Sequence, residues 1–549
     1  MSRIKLKNKK IYLFILLAVV IFLQGIFLIP PLDRDESRFA SASKNMIETN
    51  DFIDIRLDGE PRYKKPVGIY WAQSFTTLLF GNFPYDEIWT YRIPSLFGVL
   101  LSIVLIFLSV RKRFNEDIAF LSAFFLSMSL LLISEINQAK SDGLLFLFIN
   151  ICNLVLLKKI DDYEKNRSID KSKLELILFW CSLSLGTLVK GPIILIFVGV
   201  PLFCFSFIRK DFSLVKSLHS LSCYLIYFCI VTPWFVIITI KSGSTFWYES
   251  VINDLLNKVK SGQESHGFFP GYYSFLLFLF FWPGCTFVIS IAKQIFLDLK
   301  NGLKSNLKVL YLICLFLPCF LIYELIPTKL PHYVLPVYPA LSILVSIFII
   351  EGIKKNNFFL YSKVNTICLL IYPLVFISLF SVAIIQYSNY ELSTILITLY
   401  LTVIILYIFQ QFYLKKNIKK FFVSCLIFQI SVYLCLVHYL TPKLETFWIS
   451  KRINHIVATN SKKNENIYHY GFNEPSLVFL MGHKSQKLIP EKMVKRIKDP
   501  RKSLFILTDN ELETFSKFMQ DDQQIKLIDS FEGFNYSRGK KIKFYIFKN

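Results

Sequence analysis

Long apolar runs alternate with short polar segments along the chain up to about residue 440. Thirteen runs approach the length of about 20 residues that an α-helix needs to cross a bilayer. The pattern predicts helical spans near 11–31, 92–110, 117–134, 143–158, 174–189, 192–208, 219–240, 273–292, 308–326, 333–350, 364–386, 392–412 and 421–440. We therefore expect a polytopic α-helical membrane protein, with the first run as a retained signal anchor because no small-residue cleavage site follows it.

The basic residues between the runs predict an orientation. If the N-terminus is cytoplasmic, the loops on that side hold 28 Lys and Arg, whereas the short loops on the opposite side hold 3. Cytoplasmic loops are typically the ones enriched in Lys and Arg. We therefore expect a cytoplasmic N-terminus and, after thirteen spans, a C-terminus on the outer side.

Three longer polar segments then lie outside, at 32–91, 241–272 and 441–549. The sequence thus divides into a transmembrane domain, 1–440, and a C-terminal domain, 441–549. In the latter, "SLFILTD" (503–509) and "KIKFYIFKN" (541–549) are typical of strands, and "NELETFSKFM" (510–519) is typical of a helix. We predict a small α/β domain that stabilises the membrane part or shapes the acceptor site.

The first outer loop has a pattern of its own. The stretch "RFASASKNMIE" predicts an interfacial helix that shares Phe39, Ala42, Met46 and Ile47 on one face. Asp58-Gly59 predicts a hairpin turn. A second interfacial helix is predicted after Pro66, with a buried stripe formed by Val67, Tyr70, Trp71, Ser74 and Leu78.

Composition agrees with the membrane class. The 549 residues are 54% hydrophobic and carry a formal net charge of +23. Such a charge can indicate a nucleic-acid partner, but here the Lys and Arg recur as short bursts between apolar runs. That distribution indicates membrane topology and membrane lipids as partners, and no nucleic acid.

Lysines at the ends of spans on the sparsely charged side are the first candidates for chemistry. Lys140, Lys190 and Lys329 each stand beside a turn or helix-breaking residue, and Lys64 and Lys65 lie in the first outer loop. One alternative is simple snorkelling to the interface. Together they favour a cationic patch for the phosphate of a lipid, which His332, three residues after Lys329, could also contact.

Acidic residues on the predicted outer side are the second set of candidates for chemistry. Asp35 and Glu36 open the first outer loop, and Asp142 lies at the outer end of the fourth span. Helix capping is the alternative for Asp35 and Asp142. Converging carboxylates could instead act as a general base or hold a divalent cation. His266 in the second outer loop is a weaker candidate ligand.

The motifs "DRDESRFASASKNMIETNDFIDIRLDGEPRYKKPVGIYW", "AKSDGLLF", "TLVKGP" and "PTKLPHYVLPVYPAL" resemble the bacterial membrane glycosyltransferases of the C-type superfamily. Within that superfamily the sequence resembles the aminoarabinose transferases that modify lipid A and the protein mannosyltransferase-like group. The resemblance runs from about residue 11 to 350 and depends on the order of the motifs.

This resemblance implies a transferase of the inner membrane that uses a polyprenyl-phosphate-linked sugar on the periplasmic side. The family's acids map onto Asp35 and Asp142, and its phosphate-contacting lysine maps onto Lys65. The glutamate that precedes this lysine in the family is associated with metal binding, and it is replaced by Lys64 here. The resemblance therefore leaves a divalent metal ion as an open alternative.

Residues and resemblance together predict a glycosyltransferase whose acceptor is lipid A or another envelope molecule. Transfer to protein Ser or Thr, and a non-enzymatic transporter or flippase of lipid-linked sugars, stay open as alternatives. The predicted catalytic residues are Asp35, Asp142 and Glu36, and the predicted substrate-binding residues are Arg38, Tyr63, Lys65, Lys190, Lys329 and His332.

Overall fold

The described part of the chain is almost entirely helical up to residue 461. The computed structural model describes residues 16, 19–166, 172–260, 262, 267–300, 306–355, 358–387, 391–461, 465–482, 485–497, 502–519 and 525–549. The predicted span at 11–31 lies partly outside these residues, and His266 lies outside them.

Within these limits, eight helices are long and apolar enough to cross a membrane. They are Ile88–Arg113, Asp142–Lys165, Leu221–Ser242, Leu307–Leu325, Pro331–Lys354, Lys363–Tyr387, Leu392–Leu414 and Ile418–Lys443. Shorter apolar helices are Val19–Leu28, Ile193–Arg209 and Gly284–Leu297, and helices Lys173–Lys190 and Tyr272–Phe280 also coincide with predicted runs. The chain is a multi-pass membrane protein of the predicted fold class.

One predicted span is broken. Helices Glu116–Met128 and Leu130–Ile136 meet at an angle of 64°, which would make a ninth crossing if the pair is one span. Ser129 between them has an extended backbone, and its hydroxyl donates to the carbonyl of Phe280 at 2.8 Å. The bend directs the end of the second helix, with Glu135, toward His332.

The loop between the first two predicted spans has the predicted elements. Helix Asp35–Thr49 buries the face formed by Phe39, Ala42, Met46 and Ile47. Strands β1 (Arg56–Leu57) and β2 (Glu60–Pro61) pair antiparallel around Asp58 and Gly59. Both turn residues have positive φ, 53° and 79°, as a type I′ hairpin turn requires.

The second loop helix, Gly68–Phe80, corrects the predicted buried stripe. Val67, Tyr70 and Ser74 are buried, but Trp71 and Leu78 are 37% and 50% exposed. Its polar side packs inward, where Ser43 donates to Gln73 and Ser74 donates to the carbonyl of Ser43. A helix that lies against a bilayer can have apolar residues on its outward face as well. The spacing of apolar residues therefore does not identify which face of this helix packs against the protein.

The C-terminal part forms a five-stranded sheet with helices. Its strands are β3 (Asn466–His469), β4 (Ser485–Lys487), β5 (Ser503–Thr508), β6 (Lys526–Asn535) and β7 (Lys540–Lys548), in the order β4-β3-β5-β7-β6. Strands β4, β3 and β5 are parallel, whereas β7 pairs antiparallel with β5 and β6. The helices are Ile449–Asn460, Pro475–Met481, Pro490–Ile497 and Asp509–Phe518. The predicted strands and helix are present.

Candidate active site

Charged side chains from six separate segments meet in one cavity at the end of the bundle that carries the first loop. The cavity and its open mouth together contain about 640 Å³ of empty space. Its charged lining consists of seven cations, three aspartates and one histidine: Arg38, Arg62, Lys64, Lys65, Lys140, Lys190, Lys258, Asp35, Asp142, Asp254 and His332. The excess of cations makes it a site for an anion.

Asp142 and Lys190 form an ion pair in the lining of the cavity. Asp142 is the first residue of helix Asp142–Asn166, and Lys190 is the last residue of helix Lys173–Lys190. Each charge thus lies at the helix end whose partial charge is opposite. The Lys190 ammonium donates to Asp142 Oδ1 at 2.5 Å, and His332 Nε2 lies 3.8 Å from Asp142 Oδ2. Three residues singled out from the sequence therefore converge.

Asp35 begins the first loop helix and lines the same cavity. Its side chain is 37% exposed and lies 3.9 Å from the Arg38 guanidinium. Burial opposes ionisation of Asp35, but the positive charge of Lys140 and neighbouring cations outweighs it and holds the pKa of Asp35 below its ordinary value. Asp35 is therefore a carboxylate at neutral pH and has open space in front of it.

Lys65, Asp254 and Lys258 form a third charged group, which joins the first outer loop (32–91) to the second (241–272). The Lys65 ammonium donates to Asp254 Oδ2, and Lys258 donates to Asp254 Oδ1 at 2.7 Å. Burial lowers the pKa of Lys65 to about 8 although Asp254 opposes the shift. Burial would raise the pKa of Asp254, but Lys65 and Lys258 lower it to about 2. This carboxylate therefore holds two cations of the cavity.

Lys140 links two of the predicted catalytic acids, Asp35 and Asp142. Burial would lower the pKa of Lys140, but Glu135, Asp35 and Asp142 outweigh it and raise the pKa. The lysine is firmly cationic and stabilises both aspartates as carboxylates.

Three predicted site residues are not brought to this cavity. Glu36 is buried and accepts two hydrogen bonds of 2.8 Å from the Arg92 guanidinium. The Lys329 ammonium donates to the carbonyls of Tyr323, Glu324 and Ile326 at the end of helix Leu307–Leu325. Both have partners inside the protein in place of a substrate.

Tyr63 is the third of these residues. Its hydroxyl donates to Asp54 at 2.7 Å, and its ring is 5% exposed. Burial and the Asp54 carboxylate raise the pKa of Tyr63 to about 12. The hydrogen bond fixes the chain just before Lys65, so the contribution of Tyr63 to the cavity is indirect.

Several residues of this site were not predicted from the sequence. Arg62, Asp254 and Lys258 line the cavity, and the buried Glu135 lies 3.9 Å from His332 Nδ1. The sequence does contain a signal for Glu135, because an acidic residue within the apolar run "LLISEI" is energetically unfavourable in a membrane unless it has a function. Asp254 and Lys258 stand four residues apart, which is also an ordinary surface pair on a helix.

A second, mainly apolar cavity adjoins the first. Leu145, Ile193, Ile196, Phe197 and Pro336 are among its lining residues. The two cavities share seven residues: Lys65, Asp142, Lys190, Asp254, Lys258, His332 and Tyr333. The junction therefore places cations at the mouth of an apolar space, whereas Asp35, Arg38 and Lys140 line only the polar side.

The cavity does not fit a divalent metal ion. In the part of the chain that the structure describes, no group of three His, Cys, Asp or Glu side chains is arranged to hold one. Two of the three cavity aspartates are in ion pairs with lysines. Lys64 also adds a positive charge to this lining. It occupies the position at which the family that the sequence resembles has the glutamate associated with metal binding.

Comparison with known families and proteins places this geometry in context. Residues 64–237, less than half of the chain, match the family model described as dolichyl-phosphate-mannose-protein mannosyltransferase. An uncharacterised protein of Aquifex aeolicus is 25% identical over 350 residues, which are 63% of this chain and 75% of that protein.

Two named relatives have similar matches. The undecaprenyl phosphate-alpha-4-amino-4-deoxy-L-arabinose arabinosyl transferase 2 of Proteus mirabilis is 22% identical over 329 residues, 58% of this chain and 56% of that protein. The corresponding transferase of Photorhabdus laumondii is 23% identical over 352 residues, 63% and 60% of the two chains. The matched stretch thus spans less than two thirds of the length of these named relatives.

A solved structure matches along nearly the whole chain. The crystal structure of ArnT from Cupriavidus metallidurans bound to undecaprenyl phosphate has a TM-score of 0.74 and 15% identity, with 98% of each chain covered. The apo form gives a TM-score of 0.71 and 13% identity. The fold is therefore shared over 98% of each chain. Together with the family match and the named relatives, this confirms the resemblance to C-type membrane glycosyltransferases predicted from the motifs.

Proposed function

We propose that this chain, a membrane glycosyltransferase of the C-type superfamily by its fold and motifs, transfers a sugar from a polyprenyl-phosphate-linked donor to lipid A or another acceptor of the cell envelope. The observation that carries the proposal is the junction of the two cavities. Lys65, Lys190 and Lys258 stand there at the mouth of an apolar space. A phosphate with a long hydrocarbon chain is the ligand whose two halves match those two linings.

The polarity of the junction also orients the donor. The prenyl chain enters the apolar cavity, its phosphate lies among the shared lysines, and the sugar extends toward Asp35 on the polar side. The relatives named above act on undecaprenyl-phosphate-linked aminoarabinose, which supports a donor of this class. If the N-terminus is cytoplasmic, the mouth of the cavity lies at the periplasmic face of the inner membrane. This orientation agrees with the 28 Lys and Arg in the loops on the N-terminal side and the 3 in the short loops opposite.

The reaction breaks the bond between the anomeric carbon of the sugar and the phosphate oxygen, and that oxygen keeps the electron pair. The acceptor oxygen forms the new bond to the anomeric carbon. When the acceptor is a hydroxyl group, its proton passes to Asp35. When it is a phosphate group, no proton moves and Asp35 positions the reactants. The surrounding cations stabilise the charge that develops on the leaving phosphate.

Asp142 has a different role in this proposal. Its carboxylate is buried and hydrogen-bonded to Lys190, so it orients the ammonium that meets the phosphate. Glu36, Tyr63 and Lys329 make no contact with the donor here, because their partners lie within the protein.

Purified protein in lipid nanodiscs tests the activity directly. The substrates are a polyprenyl-phosphate-linked aminopentose and lipid A, and mass spectrometry detects the product. We expect both Asp35→Asn and Asp142→Asn to lower transfer severely while the variants remain monodisperse in detergent. For Asp35→Asn the loss should be about 10²–10⁴-fold where Asp35 takes the acceptor proton. Near-normal transfer by both variants would reject the assignment. Donor that crosses the bilayer without product would favour the flippase alternative.

Transfer to protein is the second candidate, and the family match over residues 64–237 favours it. Comparing lipid A and periplasmic proteins from cells with and without the gene distinguishes the two acceptors. A mass increase of one sugar on lipid A supports the first candidate, and the same increase on Ser- or Thr-containing peptides supports the second.

A further inference from the structure

The residue immediately before Asp35 has an unusual backbone. Arg34 has φ 67° and ψ −119°, which is the mirror image of the extended region that L-residues favour. A side chain makes this conformation costly, whereas glycine adopts it readily. Such outliers persist only when surrounding contacts hold them, and they concentrate at functional sites.

The contacts that hold this segment come from the C-terminal domain, more than 400 positions away in sequence. Ser476 donates to Asp33 Oδ1 from both its hydroxyl and its backbone N–H, the latter at 3.3 Å. The backbone N–H of Asp33 donates to the Tyr536 hydroxyl at 2.7 Å. The Arg34 guanidinium donates to the carbonyl of Ser537 at 2.5 Å. We call Ser476, Tyr536 and Ser537 the clamp.

The clamp is itself fixed to the membrane domain. Lys44, on the same loop helix as Asp35, donates to the carbonyl of Phe479 at 3.0 Å, and its ammonium lies 5.5 Å from the centre of the Phe479 ring. Phe479 also packs edge-to-face on Tyr91 with ring centroids 5.4 Å apart. The helix Pro475–Met481, which begins one residue before Ser476, therefore has a fixed position relative to the first loop helix.

We propose that the C-terminal domain positions Asp35 for transfer, because its clamp holds Arg34 in the conformation that starts the loop helix with Asp35 in the cavity. Arg34, Ser476 and Tyr536 are positioning residues that act through Asp35. This inference rests on the proposed function. It predicts that loss of the clamp lowers turnover and leaves the donor phosphate site, which is formed by other segments, intact.

A pair of substitutions at one position separates backbone strain from side-chain loss. Arg34→Ala and Arg34→Gly both remove the guanidinium, but only glycine adopts the φ and ψ of residue 34 without strain. We expect Arg34→Ala to lower kcat at least fivefold with the KM for donor changed less than twofold. Arg34→Gly should keep kcat within twofold of the wild type, because the backbone no longer needs to be held.

The clamp is tested in the same assay with Ser476→Ala. Made in the wild type, this substitution should lower kcat. Combined with Arg34→Gly, it should change kcat less than twofold. Ser516→Ala, an exposed serine of the same domain, is the control and should be silent. If Arg34→Ala and Arg34→Gly lower kcat equally, or if neither lowers it, the inference is overturned. The proposed function would still stand in that case, provided that the wild type transfers sugar. No transfer by the wild type would reject the proposed function and this inference with it.

Discussion

The unusual acidity of Lys65 leads to a measurable pH dependence. The pKa of Lys65 is about 8, mainly because burial disfavours its charge. The protonated form is the one that binds a phosphate, so donor affinity should be nearly complete at pH 7 and fall as the pH rises through 8. A sugar phosphodiester has a single permanent negative charge, and therefore its own ionisation does not contribute in this range.

The magnitude follows from that pKa. A group with a pKa of about 8 is about nine-tenths protonated at pH 7 and about one-tenth protonated at pH 9, so the KM for donor should rise about tenfold over this interval. The charges that act on Lys65 include Asp254, Lys258 and Lys190. Asp254, which acts most strongly of these charges, has a pKa of about 2 and therefore stays ionised between pH 7 and pH 9.

Lys65→Arg is the decisive variant, because a guanidinium stays charged at pH 9. Its KM for donor should be flat between pH 7 and pH 9, whatever its absolute value. Lys64→Arg, the same change one residue earlier, is the matched control and should keep the tenfold rise. The measurement is initial-rate transfer in nanodiscs at fixed ionic strength. A rise of equal size in the wild type and in Lys65→Arg would refute the reasoning.

Two further substitutions test the residues that the structure keeps out of the cavity. Glu36→Gln leaves the Arg92 guanidinium in a buried position without its ionic partner, which should destabilise the protein by about 3–5 kcal/mol; a denaturant titration in detergent measures this, and an unchanged midpoint would contradict it. Lys329→Met removes a donor to three carbonyls and should cost about 1–3 kcal/mol for the groups it leaves unpaired. Since Lys329 does not line the cavity, its loss should leave the KM for donor unchanged in the protein that remains folded, and a large rise in KM would restore the sequence-based assignment.

Patterns with a local cause could be predicted from the sequence. Apolar runs gave the helices because length and hydropathy suffice to identify a span, and Asp58-Gly59 gave the hairpin because few residues accept two consecutive positive φ values. The convergence of Asp35, Lys65 and Asp142 was accessible through the order of motifs that the family shares. The helices and the hairpin each depend on a short stretch of residues, whereas the convergence depends on the shared order of several motifs.

Features that depend on the direction of a side chain could not be predicted in this way. Asp35 and Glu36 are adjacent on a helix, so their side chains point about 100° apart, and one reaches the cavity while the other reaches Arg92. Lys329 turns back toward the helix that ends before it. No local pattern distinguishes that position from one directed at a ligand. The contact between Lys65 and Asp254 joins positions 189 residues apart, which spacing alone does not reveal.

The arrangement of the three cavity aspartates explains how an anion site can also carry a general base. A carboxylate in a phosphate site repels the substrate unless its charge is compensated. Asp142 and Asp254 are compensated by direct ion pairs with lysines and are nearly buried. Asp35 is compensated at longer range by Lys140 and Arg38, and more than a third of its side chain stays exposed. Under the proposed function, Asp35 is therefore the cavity aspartate that can accept a proton from an acceptor hydroxyl without first breaking an ion pair at hydrogen-bond distance. The paired aspartates would instead fix the geometry of the lysines that meet the phosphate.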